Sequence, residues 1–344
     1  MERLTIGAFA RACGLSPKAL RLYDELDLLR PDRVDPLSGY RYYRPEQLER
    51  ARLVAHLRRI GVPLARIRHL VELTPAQAAD ELTAHWHQVL AETAARQELV
   101  TLLTDHLRGR PPVLAEALTL RCAARSDLGL VRERNDDHAY ADAGLLAVAD
   151  GFGSPAAGSA AIAALRAVDP AAIGPGGLLT ALDRAVRESV ADTPEDMGTT
   201  LTALLAHGDQ LALVHIGDSR AYLLREGELF RITHDHTWVQ SLVDEGRLTA
   251  EEAASHPQRT LLIRALTGGT PGSPDLSLLT ARSGDRYLLC SDGLSRVVPE
   301  AHLHTVLSTV ADPDRAVEQL VELANRAGGP DNIACAVADV LPAA

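Results

Sequence analysis

The sequence has few cysteines and no long apolar run, and each shortage excludes a class of protein. Its four cysteines lie far apart and form no C-x-x-C pair, which argues against a disulfide framework and favours buried thiols in a reducing compartment. No run approaches the roughly 18 apolar residues of a membrane span, and no signal-peptide pattern opens the chain. No His and Cys set has zinc-site spacing. We therefore expect a soluble, cytoplasmic protein with no membrane partner.

Lysine is nearly absent, and the basic charge that arginine supplies is unevenly distributed. Residues 1–72 carry 14 Arg and Lys against 9 Asp and Glu, whereas the remainder carries 21 against 37, for a net charge of −11. A basic N-terminal region followed by an acidic remainder predicts that the first binds a polyanion and the second binds cations. A length of 344 residues also predicts two or more domains.

Carboxylates end or begin several apolar runs in the second part of the chain. Asp-Gly follows the run 145–149, and similar aspartates occur in "HIGDSR", "LLCSDG" and "GGPDNI". The set is Asp136, Asp137, Asp150, Asp218, Asp292 and Asp331. Each Asp-Gly alone is most often an ordinary turn, but six such carboxylates converging without cations would disfavour one another's charge.

Hard divalent cations remove that repulsion, and ligation by carboxylates favours Mg²⁺ or Mn²⁺ over Zn²⁺. Two ions roughly 3.5–4 Å apart can activate one water for attack on phosphorus. Arg132 is a candidate phosphate ligand because its forked guanidinium matches phosphate oxygens. Ser219 and Ser291 are weaker alternatives as nucleophiles, since neither lies in a nucleophile elbow. We predict no covalent intermediate.

The spacing of apolar residues predicts a layered second domain. Strands are predicted at 145–149, 199–206, 211–216, 220–225, 286–290 and 332–338, and helices near 156–168, 177–191, 237–247 and 313–326. Blocks of strands separated by helices indicate sheets packed together with helices outside.

The first 72 residues predict short helices and a hairpin. Apolar residues recur at helical spacing, Gly14 interrupts them, and Ser16 with Pro17 restarts a helix. This is the pattern of a helix-turn-helix, and Gly39 suits the turn of a wing. Residues 76–108 then predict one long helix with an apolar stripe, which we interpret as a dimerisation helix. The alternative is a helix packed on its own domain.

Eight segments resemble, in order, the metal-dependent PPM phosphatases, which form the protein phosphatase 2C family of serine/threonine phosphatases. They are "VRERNDD", "VADGFG", "MGTTLTALL", "HIGDSRAYLLREGEL", "DHTWVQSLVDEGRLT", "HPQRTLLIRALTGG", "LLCSDGLS" and "GGPDNIACAV". The resemblance covers roughly 120–341 and implies two antiparallel sheets flanked by helices. It also implies that the segment 234–264 is a flap beside the cleft.

The same resemblance implies a role for each site residue. Asp150 would bridge two metal ions, and the carbonyl of Gly151 would bind one of them. Asp292 and Asp331 would complete one ion's ligands. Asp136, with the catalytic Asp137, would serve the other through water. Asp218, together with Asp292, would bind a third, weaker ion, and Arg132 would bind the phosphate.

The chain departs from the family pattern at Asp136, at Phe152 and in "GSPAAG", which replaces the usual Gly-Gly-His tail after the Asp-Gly turn. Asp136 stands where Glu or Gln is usual, and a ligand acting through water should tolerate the shorter side chain. Phe152 stands where many eukaryotic members have a His that is thought to protonate the leaving group. The identity of that acid is therefore open.

Residues 1–72 and the long helix after them resemble the MerR family of winged helix-turn-helix regulators. The pieces that match are "LTIGAFARACGLSPKALRLYDELDLLRP" and "SGYRYYRPEQLERARLVAHLRRIGVPLARIRHLVEL". The resemblance implies a homodimer, joined through helix 76–108, on a two-fold double-stranded DNA site. It implies DNA contacts by Ser16, Lys18, Arg21, Tyr23, Arg41 and Tyr42.

The sequence thus predicts a multidomain protein. An all-α winged helix-turn-helix (1–73) precedes a dimerisation helix and linker (74–112) and an α+β four-layer sandwich (113–344). The predicted function is DNA binding combined with dephosphorylation of phosphoserine and phosphothreonine in a protein substrate by two, or three, Mn²⁺ or Mg²⁺ ions. The alternative is a transcriptional regulator whose phosphatase-like domain senses a metal or a phosphoprotein and turns over little.

Overall fold

The computed structural model describes residues 3–83, 85–86, 89, 93, 118–153, 156–170, 172–173, 175–269 and 272–342. They fall into two compact units. The first contains Met1–Trp86 together with Trp238–Leu261, and the second contains His87–Thr237 together with Leu262–Ala344. A search of the described helices finds none with the length and apolar character of a membrane span.

The first unit begins with the expected helix-turn-helix. Its elements are β1 (Leu4–Thr5), α1 (Ile6–Cys13), α2 (Pro17–Glu25), β2 (Arg33–Val34), β3 (Arg41–Tyr43), a 3-10 turn (Pro45–Gln47), α3 (Leu48–Arg59), α4 (Leu64–Leu70) and α5, described over 75–83. The Thr5 hydroxyl caps α1, Gly14 ends it in the left-handed conformation, and the Ser16 hydroxyl accepts a hydrogen bond from the Ala19 amide at 3.0 Å. These caps satisfy amides that a helix start leaves unpaired.

A small sheet and a compact core complete the winged fold. The strands pair in the order β1-β3-β2, with Arg33 opposite Tyr42. Phe9 stacks on Tyr43 with ring centroids 4.4 Å apart, and Leu20 and Val54 are fully buried beside them. The predicted hairpin wing is therefore present, at the edge of a helical core.

The predicted helix 76–108 is described only in part. Its start, α5, is capped by Thr74, whose hydroxyl and amide both contact the Gln77 side chain. Apart from positions 85, 86, 89 and 93, the rest lies outside the described residues. Pairing of this helix in a dimer stays a prediction.

The second unit is a four-layer sandwich. From residue 118 the elements of the chain are β4 (Leu118–Asp127), β5 (Asp137–Ala141), β6 (Leu145–Phe152), α6 (Ala156–Arg166), α7 (Pro175–Glu188), β7 (Gly198–Thr199), β8 (Leu201–His207), β9 (Gln210–Ile216), β10 (Arg220–Arg225), β11 (Glu228–Arg231), α8 (Trp238–Asp244), α9 (Ala250–Ser255), β12 (Leu266–Thr267), β13 (Asp275–Thr280), β14 (Arg286–Cys290), α10 (Asp292–Ser295), α11 (Glu300–Thr309), α12 (Pro313–Arg326) and β15 (Ile333–Pro342). One sheet has the order β11-β10-β14-β15-β4, and the other β12-β7-β6-β8-β9-β13 with β5 also on β6.

Alternation along the strands explains the layers. On β6, Leu146 and Val148 join the apolar cluster between the two sheets, while Leu145, Ala147 and Ala149 join the cluster under α6 and α7. Successive side chains of a strand point to opposite faces, so a strand covered on both faces is apolar throughout. A third cluster joins the outer face of the other sheet to α11 and α12. The predicted strands and helices are present, and the elements that add to them are β4, β5, β11, β12, β13, α9, α10 and α11.

The segment Trp238–Leu261 groups with the first unit, although the sequence assigned it to the phosphatase domain. It consists of α8 and α9, and Thr249 begins α9 with a capping box to Glu252. Within this unit the Arg68 guanidinium of α4 donates to the Glu252 carboxylate at 2.9 Å, and His69 lies 3.9 Å from Glu251. The segment therefore has ionic contacts with the winged fold.

Candidate active site

Asp137 and Asp150 face one another on neighbouring strands. They are register partners in the antiparallel pair β5 and β6, and side chains at such positions project to the same face with Cβ atoms about 4.5–5.5 Å apart. The Asp150 carbonyl accepts from the Thr200 amide at 2.8 Å, and the Asp150 amide donates to the Thr200 hydroxyl at 3.2 Å. The backbone that carries the Asp150 carboxylate, and the Gly151 carbonyl after it, is therefore fixed by the sheet.

Asp292 and Asp331 come together because two chain segments pack closely. The Ser291 amide donates to the Ala334 carbonyl, and the Ser291 hydroxyl accepts from the Ala334 amide, both at 2.9 Å. A Cβ atom at Gly293 would lie 1.9 Å from the Asn332 carbonyl oxygen, so only glycine permits this approach. Asp292 begins α10 directly after β14, while Asp331 precedes β15.

Five carboxylates lie at this end of the two sheets, and burial and mutual repulsion raise the pKa values of several of them. Burial first, and then the charges of neighbouring aspartates, raises the pKa of Asp137 to about 7 and the pKa of Asp150 well above its usual range. The carboxylates that act on Asp150 are those of Asp137, Asp292, Asp218 and Asp331. Burial and Asp292 likewise raise the pKa of Asp218 to about 7. Buried like charges disfavour ionisation in this way unless cations accompany them.

Two arginines supply cations within the site. Arg132 donates to Asp331 at 2.8 Å, and its pKa is raised by Asp331 and, further away, by Asp150 and Asp292. Its side chain is 57% exposed, so it remains open to a ligand from solvent. Arg296 donates to Asp218 at 2.6 Å and lies 2.5 Å from Asp292.

The donor set fits hard divalent cations. One Asp137 oxygen is buried with no hydrogen-bond partner, so an acceptor remains for a cation. Among the residues that the structure describes, no three acidic, His or Cys side chains already surround a single point as metal ligands. Three of the carboxylates instead pair with an arginine: Asp331 with Arg132, and Asp218 and Asp292 with Arg296. A bound ion would therefore compete with those arginines for the carboxylate oxygens.

Asp136 pairs with Arg134 rather than with Arg132 or Arg296. Its carboxylate accepts from Arg134 at 2.7 Å, its amide donates to the Asn332 side chain at 2.9 Å, and its carbonyl accepts from the Gly151 amide at 3.2 Å. Its other carboxylate oxygen is buried without a partner. The contacts of Asp136 are thus with the loop beside the site, whereas Asp137 faces the other carboxylates.

Comparison with known proteins identifies both parts of the chain. Residues 132–341 match the family model for protein phosphatase 2C, and residues 4–74 match that for the MerR HTH family of regulatory proteins. The chain belongs to the protein phosphatase 2C family.

Among its relatives is the serine/threonine protein phosphatase PstP of Mycobacterium tuberculosis, which is 55% identical over 239 residues, covering 65% of this chain and 46% of PstP. The serine/threonine phosphatase stp of Listeria monocytogenes is 31% identical over 61% of this chain and 91% of its own length. A crystal structure of the PstP catalytic domain with 2 manganese ions is 51% identical, covers 65% of this chain and 99% of that one, and superposes with a TM-score of 0.59. This chain thus spans about half the length of PstP itself.

Arg296 and Asn332 contact the carboxylates or loops of the site, although the sequence pattern did not predict them. Arg296 follows Asp292 by four positions, a spacing that places both side chains on one helical face, so a signal was present. Ser291 and Asn332 hold the loops that carry Asp292 and Asp136. Phe152 ends β6 with its ring against Gly198. Ser219, an alternative nucleophile, is fully buried with its hydroxyl 2.7 Å from that of Thr200.

The MerR-like part presents some of the predicted DNA contacts and buries another. Lys18 and Arg21 are exposed on α2, and Ser16 is exposed at its start. Tyr23 is only 5% exposed and belongs to the apolar core, where burial raises the pKa of its hydroxyl beside Arg58.

The two predicted contact residues of the wing, Arg41 and Tyr42, are each partly exposed. Arg41 donates to Asp24 at 2.6 Å, and Tyr42 packs against Tyr40 with ring centroids 5.7 Å apart. The exposed cations of α2 are therefore the most accessible of the predicted DNA contacts.

Proposed function

We propose that this chain dephosphorylates phosphoserine and phosphothreonine in proteins without a covalent intermediate. The observation that carries the proposal is the group of five aspartates at one end of the two sheets, with the exposed Arg132 beside it. Such a group favours divalent cations, and a phosphate monoester presents the oxygens that both cations and a guanidinium bind.

Two Mn²⁺ or Mg²⁺ ions bound there would neutralise the carboxylates and supply an activated water. Asp150 would bind both ions, the Gly151 carbonyl would bind one of them, and Asp292 with Asp331 would complete one set of ligands. Asp137, and Asp136 through water, would serve the other. Manganese in the PstP catalytic domain supports this assignment.

The side chains of this chain have separable tasks in the proposed reaction. Arg132 would exchange its bond to Asp331 for the phosphate oxygens and so orient the substrate. Asp137, which has one buried carboxylate oxygen without a partner, would take the proton of the attacking water. Phe152 carries no proton, so water is the proposed proton donor to the leaving group.

For the MerR-like N-terminal part of the chain, we propose that a homodimer binds double-stranded DNA. The second helix of a helix-turn-helix reads the major groove, and α2 presents Lys18 and Arg21 on its exposed surface. A two-fold DNA site would follow from pairing through helix 76–108. The four unpaired cysteines favour a reducing cytoplasm as the location.

One observation favours a second function, that of a regulator with little turnover. Arg132 and Arg296 already pair with three of the carboxylates. If metal ions do not displace the arginines from these carboxylates, the domain would sense a metal or a phosphoprotein and hydrolyse little phosphate.

The test is hydrolysis of a small aryl phosphate by the full chain with Mn²⁺, with EDTA and with the Asp150→Asn variant. Turnover that needs Mn²⁺ and disappears in the variant supports the enzyme. Absence of turnover while Mn²⁺ binds supports the regulator. Wild-type activity in Asp150→Asn would contradict the assignment of the site.

A further inference from the structure

Arg296 occupies the position between Asp218 and Asp292. Its Nη2 donates to Asp218 Oδ2 at 2.6 Å, and its Nη1 lies 2.5 Å from Asp292 Oδ2. Both carboxylates are buried, with side chains only 7% and 13% exposed, and the Arg296 side chain is 27% exposed. Family resemblance would assign this same pair of carboxylates to a third, weaker metal ion.

The three groups are held in place by their surroundings. Asp292 and Arg296 lie one turn apart, and the Arg296 amide donates to the Asp292 carbonyl at 2.9 Å. Asp218 lies in a loop fixed by its neighbour Ser219, whose carbonyl accepts from the Thr202 hydroxyl at 3.0 Å and whose hydroxyl contacts Thr200. The guanidinium therefore joins carboxylates whose backbones are already positioned.

We propose that Arg296 serves as a built-in cation for this pair and limits the protein to two metal ions. A divalent ion there would need the two oxygens to which Arg296 is bonded, and it would lie beside a positive charge that does not deprotonate. The bond to Arg296 uses one Asp292 oxygen and leaves the other for the two proposed ions. In the absence of metal, Arg296 also stabilises the fold, because a buried carboxylate without a cation is costly.

The inference about ion number rests on the proposed metal centre, and its test counts ions rather than turnover. Wild type, Arg296→Met and Arg296→Lys are dialysed against increasing Mn²⁺, and bound manganese is measured by mass spectrometry. Wild type and Arg296→Lys are expected to saturate at two ions per chain, and Arg296→Met at three. Adding Asp218→Asn to Arg296→Met should restore two. Arg315→Met, which removes an exposed arginine paired with Glu318, is the matched control and should keep two. Three ions in wild type, or two in Arg296→Met, would overturn the proposal.

A second measurement needs no metal. In urea with EDTA, Arg296→Met should lower the folding equilibrium constant at least tenfold, and Asp218→Asn in the same chain should restore most of the loss, as expected for groups in direct contact. If Arg296→Met is as stable as wild type, Arg296 does not serve as a built-in cation. If no variant binds Mn²⁺, the proposed enzyme fails, yet this comparison still decides the role of Arg296. Should Arg296→Met not fold, Arg296→Gln, which also removes the charge, gives the same comparison alone and with Asp218→Asn.

Discussion

Asp137 and Asp150 are opposite one another across β5 and β6, and after burial the charge of Asp137 is the largest cause that raises the pKa of Asp150. Two adjacent strands thus bring a like-charge pair into a buried place. Without a cation, the repulsion between the two carboxylates lowers the stability of the folded state. A bound cation relieves that repulsion, and this relief contributes to the free energy of cation binding. Stability without metal and affinity for metal are therefore opposed at these positions.

Asp150→Asn should stabilise the metal-free protein while abolishing turnover. The buried wild-type carboxylate lies among like charges that raise its pKa and disfavour its charged form, whereas the amide carries no charge, so we expect the free energy of unfolding to rise in the variant. Urea unfolding in EDTA measures it. Asp192→Asn, an exposed position, should change nothing, and a loss of stability in Asp150→Asn would contradict the electrostatic account.

Asp137→Asn and Asp136→Asn should differ in their effect on kcat. Asp137 faces the carboxylates, whereas Asp136 pairs with Arg134. We expect a loss of about 10²-fold or more for Asp137→Asn, the range of a lost proton acceptor, and less than about tenfold for Asp136→Asn. Steady-state rates on an aryl phosphate with saturating Mn²⁺ measure both. The reverse order would show that Asp136, and not Asp137, accepts the proton.

Arg132→Ala should weaken phosphate binding. The guanidinium is the exposed cation of the site, and charge-assisted hydrogen bonds contribute about 1.5–3 kcal/mol, so the inhibition constant for inorganic phosphate should rise roughly 10- to 100-fold. Arg134→Ala, two residues away, is the control and should leave it within about twofold. An unchanged constant in Arg132→Ala would mean that phosphate binds elsewhere.

His215 should make the protein sensitive to acid. It is fully buried between Thr202 and the His234 carbonyl, and burial lowers its pKa from 6.5 to about 4. Between those values the unfolded chain binds the proton and the folded chain does not. Stability is therefore complete above pH 6.5 and falls as pH falls towards 4, by up to about 3 kcal/mol.

The measurement is the difference in urea stability between wild type and His215→Gln at pH 7, 6 and 5. The variant lacks the titrating group, so the difference between the two proteins should shrink as the pH falls. His302→Gln changes an exposed histidine of α11 and should follow wild type at every pH. A constant difference for His215→Gln would show that His215 is not the sensitive group.

Arg21→Ala and Tyr23→Phe should separate DNA binding from folding. Arg21 is exposed on α2, so its loss should weaken binding to a roughly 30-base-pair duplex and reduce the salt dependence by about one unit of slope. Tyr23 is in the core, so Tyr23→Phe should leave DNA affinity within about twofold and lower stability by about 1 kcal/mol through its lost contact with Arg58. Titrations of the full chain at fixed salt decide the first point and urea unfolding the second.

Local patterns predicted the layered domain and the helix-turn-helix, because periodicity and caps act within a few residues. Tyr23 could have been placed from the same rule, since it lies three positions after the buried Leu20 and shares its face. Asp136 and Asp137 were treated together, although adjacent side chains at a strand start point in opposite directions. The contact of Arg296 with Asp218 spans 78 residues and depends on how α10 packs, which no local pattern contains. The grouping of 238–261 with the head likewise depends on tertiary contacts.

Gly293 and Gly129 have a consequence for anyone who maps this domain by random mutagenesis. A side chain at Gly293 would collide with the Asn332 carbonyl, and one at Gly129 with the Asp331 carbonyl at 2.1 Å. Both glycines hold the chain segment that carries Asp331, without taking part in any chemistry. A library scored only for lost activity would rank them with the aspartates, and protein abundance measured in the same cells would separate the two groups.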